Sequence, residues 1–237
     1  MEKLKIIFED NHIIVVEKKP NIPSQSDKTG DMDMLTLVKQ YIKEKYQKPG
    51  NVYLALVHRL DRPVGGVMIF AKTSKAASRL SNQVREKVFK KKYLAVVDGR
   101  FKEKEGLLED YLYKDERNNI SKVVNKDKKN AKLAKLDYKE LAYNKVKNLS
   151  LLEINLHTGR HHQIRVQLAN AGHSIFGDQK YGKRGQGKQI ALWAYELTIE
   201  HPTTKEMLTF KDWPEPIGTW CILKDVGQLQ NAKNVQK

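Results

Sequence analysis

Short apolar runs separated by turn-forming residues recur along most of this chain, and they limit its possible folds more than any other feature. Residues 4–8 and 13–17 are two such runs, and the turn-forming pair Asp10-Asn11 between them predicts paired strands. Further strands are predicted at 52–57, 67–71, 93–98, 149–156, 192–199 and 207–210. Helical spacing is rarer, and strands and helices do not alternate regularly. The pattern therefore predicts an α+β protein rather than a doubly wound one.

The helical segments are few and have recognisable ends. Asp33 is the predicted N-cap of a first helix, and a short helix near 164–171 should stop at Gly172. A second helix is predicted over 73–88. Its predicted inward residues are Ala76, Ala77, Leu80 and Val84. The lysine-rich stretch 122–147 predicts a hairpin or two with solvated faces. Together these elements predict one domain over 1–225 and a polar, disordered tail over 226–237.

Charge indicates the class of partner. Lysine and arginine number 44 against 28 aspartate and glutamate residues, a formal net charge of +16. Such an excess favours a polyanion, and nucleic acid is the commonest one. The same charge also serves simple solubility or contact with anionic membranes, so by itself it names no reaction.

Other features of the sequence indicate the cellular compartment of the protein. No apolar run approaches the roughly 20 residues that a membrane-spanning helix needs. Strand-like sequence begins at Leu4, which argues against a secretory leader. Cys221 is the only cysteine, so an internal disulfide and a zinc site with paired cysteines are excluded. We therefore expect a cytoplasmic protein, a monomer by default, with no protein partner implied.

The first segment whose side chains could take part in catalysis is 57–66, which lies between two predicted buried strands. Asp61 stands between Arg59 and Arg62 in it, and neighbouring cations favour an ionised carboxylate. An ionised carboxylate suits a nucleophile or a base. Gly65-Gly66 would let backbone or substrate approach closely. When this segment is taken alone, an ordinary charged turn with Asp61 paired to a local arginine is the better explanation.

The second segment is 156–165, which reads Leu-His-Thr-Gly-Arg-His-His-Gln-Ile-Arg. Thr158 and Gly159 stand where a helix would begin, and free N–H groups at such an end bind anions. Arg160 and Arg165 are five residues apart, so on a helix they would address different partners. His157 and His161 have a metal-like spacing, but no acidic ligand accompanies them and the segment is cationic, so we expect no metal.

The third segment is Lys90-Lys91-Lys92-Tyr93, where basic residues run into a strand that starts with an aromatic ring. This combination suits RNA, because an unstacked base can lie on the ring while lysines meet phosphate. A core tyrosine after a solvated charge run is an equally good explanation of this segment alone.

In combination the segments resemble the RluA family of pseudouridine synthases. His58-Arg59-Leu60-Asp61-Arg62 resembles its catalytic motif, Lys91 to Ala95 its Lys-x-Tyr-x-Ala element, and Thr158 to Arg165 its Thr-Gly-Arg-x-His-Gln-Ile/Leu-Arg motif. Gly172 to Gly182 matches the pattern Gly-His-x-Ile-x-Gly-Asp-x-x-Tyr-Gly. An Asp-x-x-Ile-x-Val-x-x-Lys-Pro-like opening is present with an extra lysine, in Lys18-Lys19-Pro20. The correspondence runs in order from about Leu4 to Phe210.

Two departures from the family pattern affect expectations. Many relatives have Asp-Thr-Ser-Gly after the motif arginine, where this chain has Pro63-Val64-Gly65-Gly66, so hydroxyl contacts to substrate are lost. Many relatives also carry an RNA-binding domain of the S4 type before the catalytic domain. Here the catalytic pattern starts at once, and we expect no S4 domain.

The resemblance implies a mixed, mostly antiparallel central sheet with flanking helices and a catalytic cleft across the sheet. It also implies that a uridine of ribosomal or transfer RNA is flipped out and isomerised without a cofactor. Asp61 would be the essential carboxylate, by nucleophilic attack or by proton abstraction from the sugar. Tyr93 would stack on the base, and Arg165 would pair with Asp61. Predicted RNA-contacting residues are Arg59, Arg62, Lys92, Arg160, His162 and Gln163.

Two other functions compete with this interpretation. A non-catalytic RNA-binding protein would explain the charge and the aromatic residues, but not the joint presence of Asp61, Tyr93 and Arg165. A metal-dependent nuclease built on the histidines of 157–162 would need acidic ligands, which that segment lacks.

Overall fold

The structure is a computed structural model and describes residues 4–183 and 187–225. Most of its regular elements are strands. In chain order the elements are β1 (Ile6–Glu9), β2 (Ile13–Lys18), α1 (Met34–Lys45), β3 (Ala55–Leu56), β4 (Gly65–Ala71), α2 (Ser74–Arg85), β5 (Lys90–Asp98), β6 (Glu105–Asp115), β7 (Ile120–Val124), β8 (Lys132–Asn144), β9 (Leu149–Leu156), α3 (Gln163–Asn170), β10 (Leu192–Glu200), β11 (Met207–Lys211) and a 3₁₀ helix (Gly218–Asp225). The predicted α+β class is confirmed.

The chain divides into two compact units. Among the described residues, the first unit holds 4–91 together with Trp193–Trp213, and the second holds 92–183, 187–192 and 214–225. A single catalytic domain over 1–225 stays a prediction. The predicted tail, 226–237, lies outside the described residues. None of the described helices has the length and apolar character needed to cross a membrane.

The first unit is built on a small mixed sheet. Strand β2 pairs antiparallel with both β1 and β4, and β3 adds two antiparallel pairs to β4. Strand β4 pairs parallel with β10 at Gly65 and Gly66, and β10 pairs antiparallel with β11. The parallel pairing of β4 with β10 lies at the start of β4, directly after the segment that carries Asp61.

A helix covers each face of this sheet. Ile14 and Val16 of β2 pack with Val38 and Ile42 of α1 on one face. Alternate residues of the same strand, such as Ile13, pack on the opposite face with Ala76 and Leu80 of α2. Because successive strand residues point to opposite faces, a strand covered on both sides needs a continuous apolar run. The runs at 13–16 and 67–70 meet that need.

The second unit is an antiparallel arrangement. Strand β9 pairs with β5 and β8, and β6 pairs with β8 and β7. Helix α3 packs against the β6 and β7 end of this sheet, where Leu112, Ala134 and Val166 form a small apolar cluster. Helix α3 ends as predicted, because Gly172 has a φ of +86°, the left-handed conformation that favours glycine after a helix.

Three sequence predictions were wrong in detail. Residues 52–57 pair with β4 only at Ala55 and Leu56, since Val52 and Leu54 are buried beside α1 without joining the ladder. Strand β6 was not predicted, because its charged and apolar residues do not alternate regularly along the sequence. The 122–147 stretch does form hairpin strands, but Ala134 and Leu136 are fully buried, so one face is not solvated.

A fourth correction concerns α2. Val84 is 39% exposed, and Gln83 takes the inward position instead. The Gln83 amide donates from Nε2 to the Glu200 carbonyl (2.6 Å) and accepts from the Glu200 N–H through Oε1 (3.0 Å). A polar side chain is stable there because both of its hydrogen-bonding atoms are satisfied by backbone at the end of β10.

Candidate active site

The Asp61 segment is held by the loop that follows β2. Ser24 Oγ donates to the Leu60 carbonyl (2.8 Å) and accepts from the Leu60 N–H (3.2 Å). Asn21 N–H donates to the Arg62 carbonyl (2.8 Å), and Val64 N–H closes a turn onto the Asp61 carbonyl (2.9 Å). Backbone bonds on both sides of Asp61 therefore fix the direction in which its side chain leaves the loop.

Lys18 lies beneath this loop and is fully buried. Its Nζ donates to the carbonyls of Val64 (2.7 Å), Arg62 (2.9 Å) and Lys19 (3.2 Å). Burial lowers the pKa of Lys18 to about 7, although the negative charge of Asp61 acts in the opposite direction. The negative charge of Asp61 therefore acts on Lys18, a buried lysine that binds the backbone following the candidate carboxylate.

His58 opens the motif from a buried position. Its Nε2 accepts from the Ile69 N–H of β4 (3.2 Å), and its ring packs on Phe89 at a centroid distance of 5.3 Å. Burial, and secondarily the nearby Lys91 cation, lowers the pKa of His58 well below its usual value. A ring nitrogen that accepts a backbone N–H must be unprotonated, so His58 is a neutral structural anchor.

Gly65 and Gly66 allow β10 to approach β4 closely. A Cβ on Gly65 would lie 2.2 Å from the Trp193 ring, and one on Gly66 would lie 2.1 Å from the Ala194 carbonyl oxygen. Gly66 also has a φ of +122°. From the sequence, these glycines were expected to allow close approach of either backbone or substrate. The close contacts in the structure are with strand β10 of the protein itself.

The two arginines that flank Asp61 differ in environment. Arg59 is exposed. Arg62 is paired, since its Nη2 bonds to Asp31, its Nη1 lies 3.6 Å from Asp27 Oδ2, and the same Nη1 donates to Thr29 (3.1 Å). Part of the positive charge expected to meet RNA is therefore already neutralised within the loop.

Arg165 lies in the second unit, in α3, and is almost fully buried. Its Nε donates to Asp178 Oδ2 (2.8 Å), and its Nη2 donates to Asp178 Oδ1 (2.7 Å). The guanidinium also lies 5.3 Å from the centroid of the Tyr181 ring. The predicted pairing of Arg165 with Asp61 stays a prediction.

The residues before α3 form a turn held by the side chain of Gln163, and the helix begins later than Thr158 and Gly159, where the sequence placed its start. The helix starts at Gln163, four residues after Gly159. Gln163 Oε1 accepts from Thr158 Oγ1 (2.7 Å) and from the Arg160 N–H (3.0 Å), and its Nε2 donates to the Lys135 carbonyl (3.1 Å). The side chain of Arg160 is exposed beyond its bond from Nε to the Leu133 carbonyl. Gln163 thus organises the motif from a buried position.

The histidines of this segment have separate partners. His157 Nε2 lies 2.7 Å from Asp137 Oδ2, and His161 Nδ1 lies 3.0 Å from Ser121 Oγ. His162, the buried N-cap of α3, has its Nδ1 2.9 Å from the Tyr181 hydroxyl. Within 4–183 and 187–225, no group of three or more His, Cys, Asp or Glu side chains could hold a metal ion.

Tyr93 and Lys92 begin the part of β5 that pairs with β9. Tyr93 is buried, and Lys92 Nζ lies 3.5 Å from Glu153 Oε1. Asp61 belongs to the first unit, and Tyr93 and Arg165 belong to the second. A cavity shared by the three stays a prediction, as do RNA contacts by Lys92, His162 and Gln163.

Two polar residues with a clear structural role were not singled out from the sequence. Lys18 was noted only as an extra lysine before Pro20, and Asp178 only as part of the Gly-Asp-x-x-Tyr-Gly pattern. For Asp178 the sequence did hold a signal, because an acidic residue in the motif that follows Arg165 is a candidate ion-pair partner for that arginine. For Lys18 the acceptors are backbone carbonyls, which leave no mark in a sequence.

Comparison with known proteins gives a consistent result. A family model described as RNA pseudouridylate synthase matches residues 12–170. An uncharacterized RNA pseudouridine synthase of Bacillus subtilis, YhcT, is 33% identical over 210 residues, which cover 87% of this chain and 67% of the relative. Ribosomal large subunit pseudouridine synthase D of Nitrosomonas europaea is 31% identical over 242 residues, covering 97% of this chain and 67% of the relative.

The fold comparison agrees with the sequence comparison. The solved structure of human RNA pseudouridylate synthase domain containing 1 superposes with a TM-score of 0.74 at 24% identity, and the match covers 99% of this chain and 96% of that one. At this identity the likeness is one of fold alone. The chain spans about two thirds of the length of the bacterial relatives described above.

Proposed function

The chain belongs to the RNA pseudouridine synthase family, of the RluA type, and on that premise we propose that it isomerises a particular uridine of ribosomal or transfer RNA with Asp61 as the essential carboxylate. The observation that carries this proposal is the Asp61 loop. Its backbone is bonded on both sides of the aspartate, and a buried lysine lies beneath it. A loop held in this way presents one carboxylate in one direction, as a catalytic group requires.

The reaction breaks the bond from N1 of the base to C1′ of the ribose and forms one from C5 to C1′. The C5 proton then leaves, and N1 gains a proton, so no redox agent or energy donor is consumed. Asp61 would either attack the sugar or remove a proton from it, and both routes need an ionised carboxylate.

The remaining roles follow from the chemistry of each side chain. Tyr93 would stack on the flipped base and take the C5 proton late in the reaction. Arg165 would orient Asp61, and exposed Arg59 would fill the place of the flipped base or contact a neighbouring phosphate. Among the weaker candidates, Arg160 suits phosphate contact. Buried Gln163 suits support of the motif.

The partner would be structured RNA, which the formal net charge of +16 favours. The protein would act in the cytoplasm as a monomer. No cofactor would be needed. The name of the Nitrosomonas europaea relative, a ribosomal large subunit pseudouridine synthase, favours ribosomal RNA as the first substrate to try. Mapping pseudouridines in total RNA from cells with and without the protein would identify the target.

The decisive variant is Asp61→Asn, which keeps the shape of the side chain and removes its charge. We expect it to abolish tritium release from C5-labelled uridine in RNA while RNA affinity changes by no more than about threefold, because Asp61 contributes chemistry rather than binding. Asp127→Asn, an exposed acid in a turn, is the matched control. Tritium release by Asp61→Asn at the wild-type rate would refute the assignment, and none from the wild type would favour a non-catalytic RNA-binding protein.

A second variant tests the proposed pairing with Arg165. Arg165→Ala should lose activity, and the acidic limb of its pH–rate profile should move to higher pH, because the catalytic carboxylate would lose a cationic partner. A profile that keeps the wild-type limb would count against the pairing.

A further inference from the structure

Arg165 is part of a buried ion pair whose geometry is unusually well defined. Its guanidinium makes two bonds to Asp178, one through Nε and one through Nη2, at 2.8 and 2.7 Å. The side chains of Arg165 and Asp178 are 4% and 0% exposed, so water contributes little to either charge. A two-bond contact between a planar guanidinium and a carboxylate fixes the plane of the arginine as well as its position.

Asp178 is itself held rigidly. Its Oδ1 accepts from the N–H groups of Lys180 (2.9 Å) and Tyr181 (3.2 Å). Burial alone would raise the pKa of Asp178, but the bonds from Arg165 and from these backbone groups keep it below its usual value, so the carboxylate is ionised at neutral pH. The adjoining glycines tighten the loop, since a Cβ on Gly177 would lie 2.1 Å from the Gln189 carbonyl oxygen.

Tyr181 holds the same arginine from another side. Its ring centroid lies 5.3 Å from the guanidinium, and its hydroxyl accepts from the Ser121 N–H (2.6 Å) and contacts His162 Nδ1 (2.9 Å). The loop 177–182 therefore supplies both a carboxylate and an aromatic face to one side chain of α3.

We propose that Asp178 is a positioning residue for the isomerisation: it does not touch the RNA, but sets the orientation of Arg165 toward the reacting groups. This inference rests on the proposed function, in which Arg165 orients Asp61. A buried ion pair is by itself a weak source of stability, because desolvation offsets the attraction, so stability alone is a poor explanation for this pair. Asp178 engages Nε and Nη2, and the direction of Nη1 follows from that contact.

The test is a double-mutant cycle on kcat and KM for an RNA substrate, with Asp178→Asn and Arg165→Ala. Asparagine keeps an oxygen for the backbone N–H groups and removes the charge that grips Arg165. We expect kcat to fall by about 100-fold with KM within about threefold, the effect of a catalytic group displaced by about 1 Å. In the Arg165→Ala background the same change should alter kcat by less than about twofold, since Asp178 acts through Arg165.

Glu140→Gln is the matched control. Glu140 also pairs with an arginine of the second unit, Arg100, through three hydrogen bonds of 2.8–3.1 Å from Nε and Nη2. Its partner is exposed and plays no part in the proposed chemistry, so we expect kcat close to that of the wild type. Thermal denaturation of every variant, with assays run well below each midpoint, separates loss of folding from loss of positioning.

The outcomes are distinguishable. A wild-type protein that makes no pseudouridine refutes the proposed function and leaves the pair without a catalytic role. An active wild type with an inactive Asp61→Asn supports that function, and the cycle then decides on Asp178. Wild-type kcat in Asp178→Asn, or equal losses in both Arg165 backgrounds, would overturn the inference. If Asp178→Asn does not fold, Asp178→Glu, which displaces the guanidinium by one methylene, is put through the same cycle with the same expectations.

Discussion

Replacing Gly66 with alanine should destabilise the protein strongly, because the added methyl group raises the free energy of the folded state in two independent ways. Gly66 has a φ of +122°, and a Cβ there would lie 2.1 Å from the Ala194 carbonyl oxygen of the neighbouring strand. That oxygen belongs to backbone at the parallel pairing of β4 with β10, so it cannot swing away as the end of a side chain could.

The magnitude follows from the two costs. A non-glycine residue held in such a backbone conformation costs about 1–3 kcal/mol. Forcing a methyl group into a filled space costs a further ~1–3 kcal/mol. The variant should therefore lose about 4 kcal/mol of unfolding free energy, a large part of the roughly 5–15 kcal/mol that holds a typical protein folded. For a chain of this size the loss corresponds to a melting temperature lower by about 8–16 °C.

The measurement is thermal and urea denaturation followed by circular dichroism, with Gly50→Ala as the control. A Cβ at Gly50 meets nothing within 4 Å, so we expect that variant to stay within about 1 kcal/mol of the wild type. Turnover should also fall in Gly66→Ala at temperatures where it is folded, because the pairing that it disturbs starts just after the Asp61 loop. A Gly66→Ala protein as stable as Gly50→Ala would refute the reasoning.

Two further predictions concern stability. The pKa of Lys18 is about 7 in the folded chain and near 10.5 when it is unfolded, so the unfolded chain binds more protons between these values and this group makes unfolding free energy rise with pH there. Lys18→Met should remove that rise, up to about 1.4 kcal/mol per pH unit, in urea denaturation between pH 7 and 10; an unchanged slope would contradict the assignment. Asp33→Ala should cost about 1 kcal/mol in the same assay at pH 7, because Asp33 caps α1 through the Thr36 N–H, and no loss would show that the cap is dispensable.

Periodicity and turn residues predicted most of the fold because they record local geometry. Strand β9 and the Asp33 cap of α1 were predicted at their observed positions, since one is a leucine- and isoleucine-rich stretch and the other is a short polar side chain before helical spacing. Strand β6 was missed because its pairing with β8 is a non-local contact between partly exposed residues. Its own sequence carries no clear alternation.

The site divides in the same way. Asp61 and Arg165 could be proposed from the sequence because each lies in a contiguous motif. Their supporting residues were harder to find, since the contacts join distant positions: Lys18 reaches a carbonyl 46 residues later, and Arg165 reaches a carboxylate 13 residues later. Only a folded chain shows that a lysine beside another lysine is buried rather than solvated.

The contacts of Arg62 have a consequence for how affinity for RNA can change through substitution. Asp27 and Asp31, both in an exposed segment, bind the side chain of this arginine, whereas the backbone on either side of Asp61 is held by bonds from Ser24 and Asn21. Substitutions in the exposed segment can thus release or withhold a cation next to the aspartate without loosening the aspartate itself. In such a protein, substitutions can change the affinity for RNA and its dependence on ionic strength without changing the rate of the chemical step.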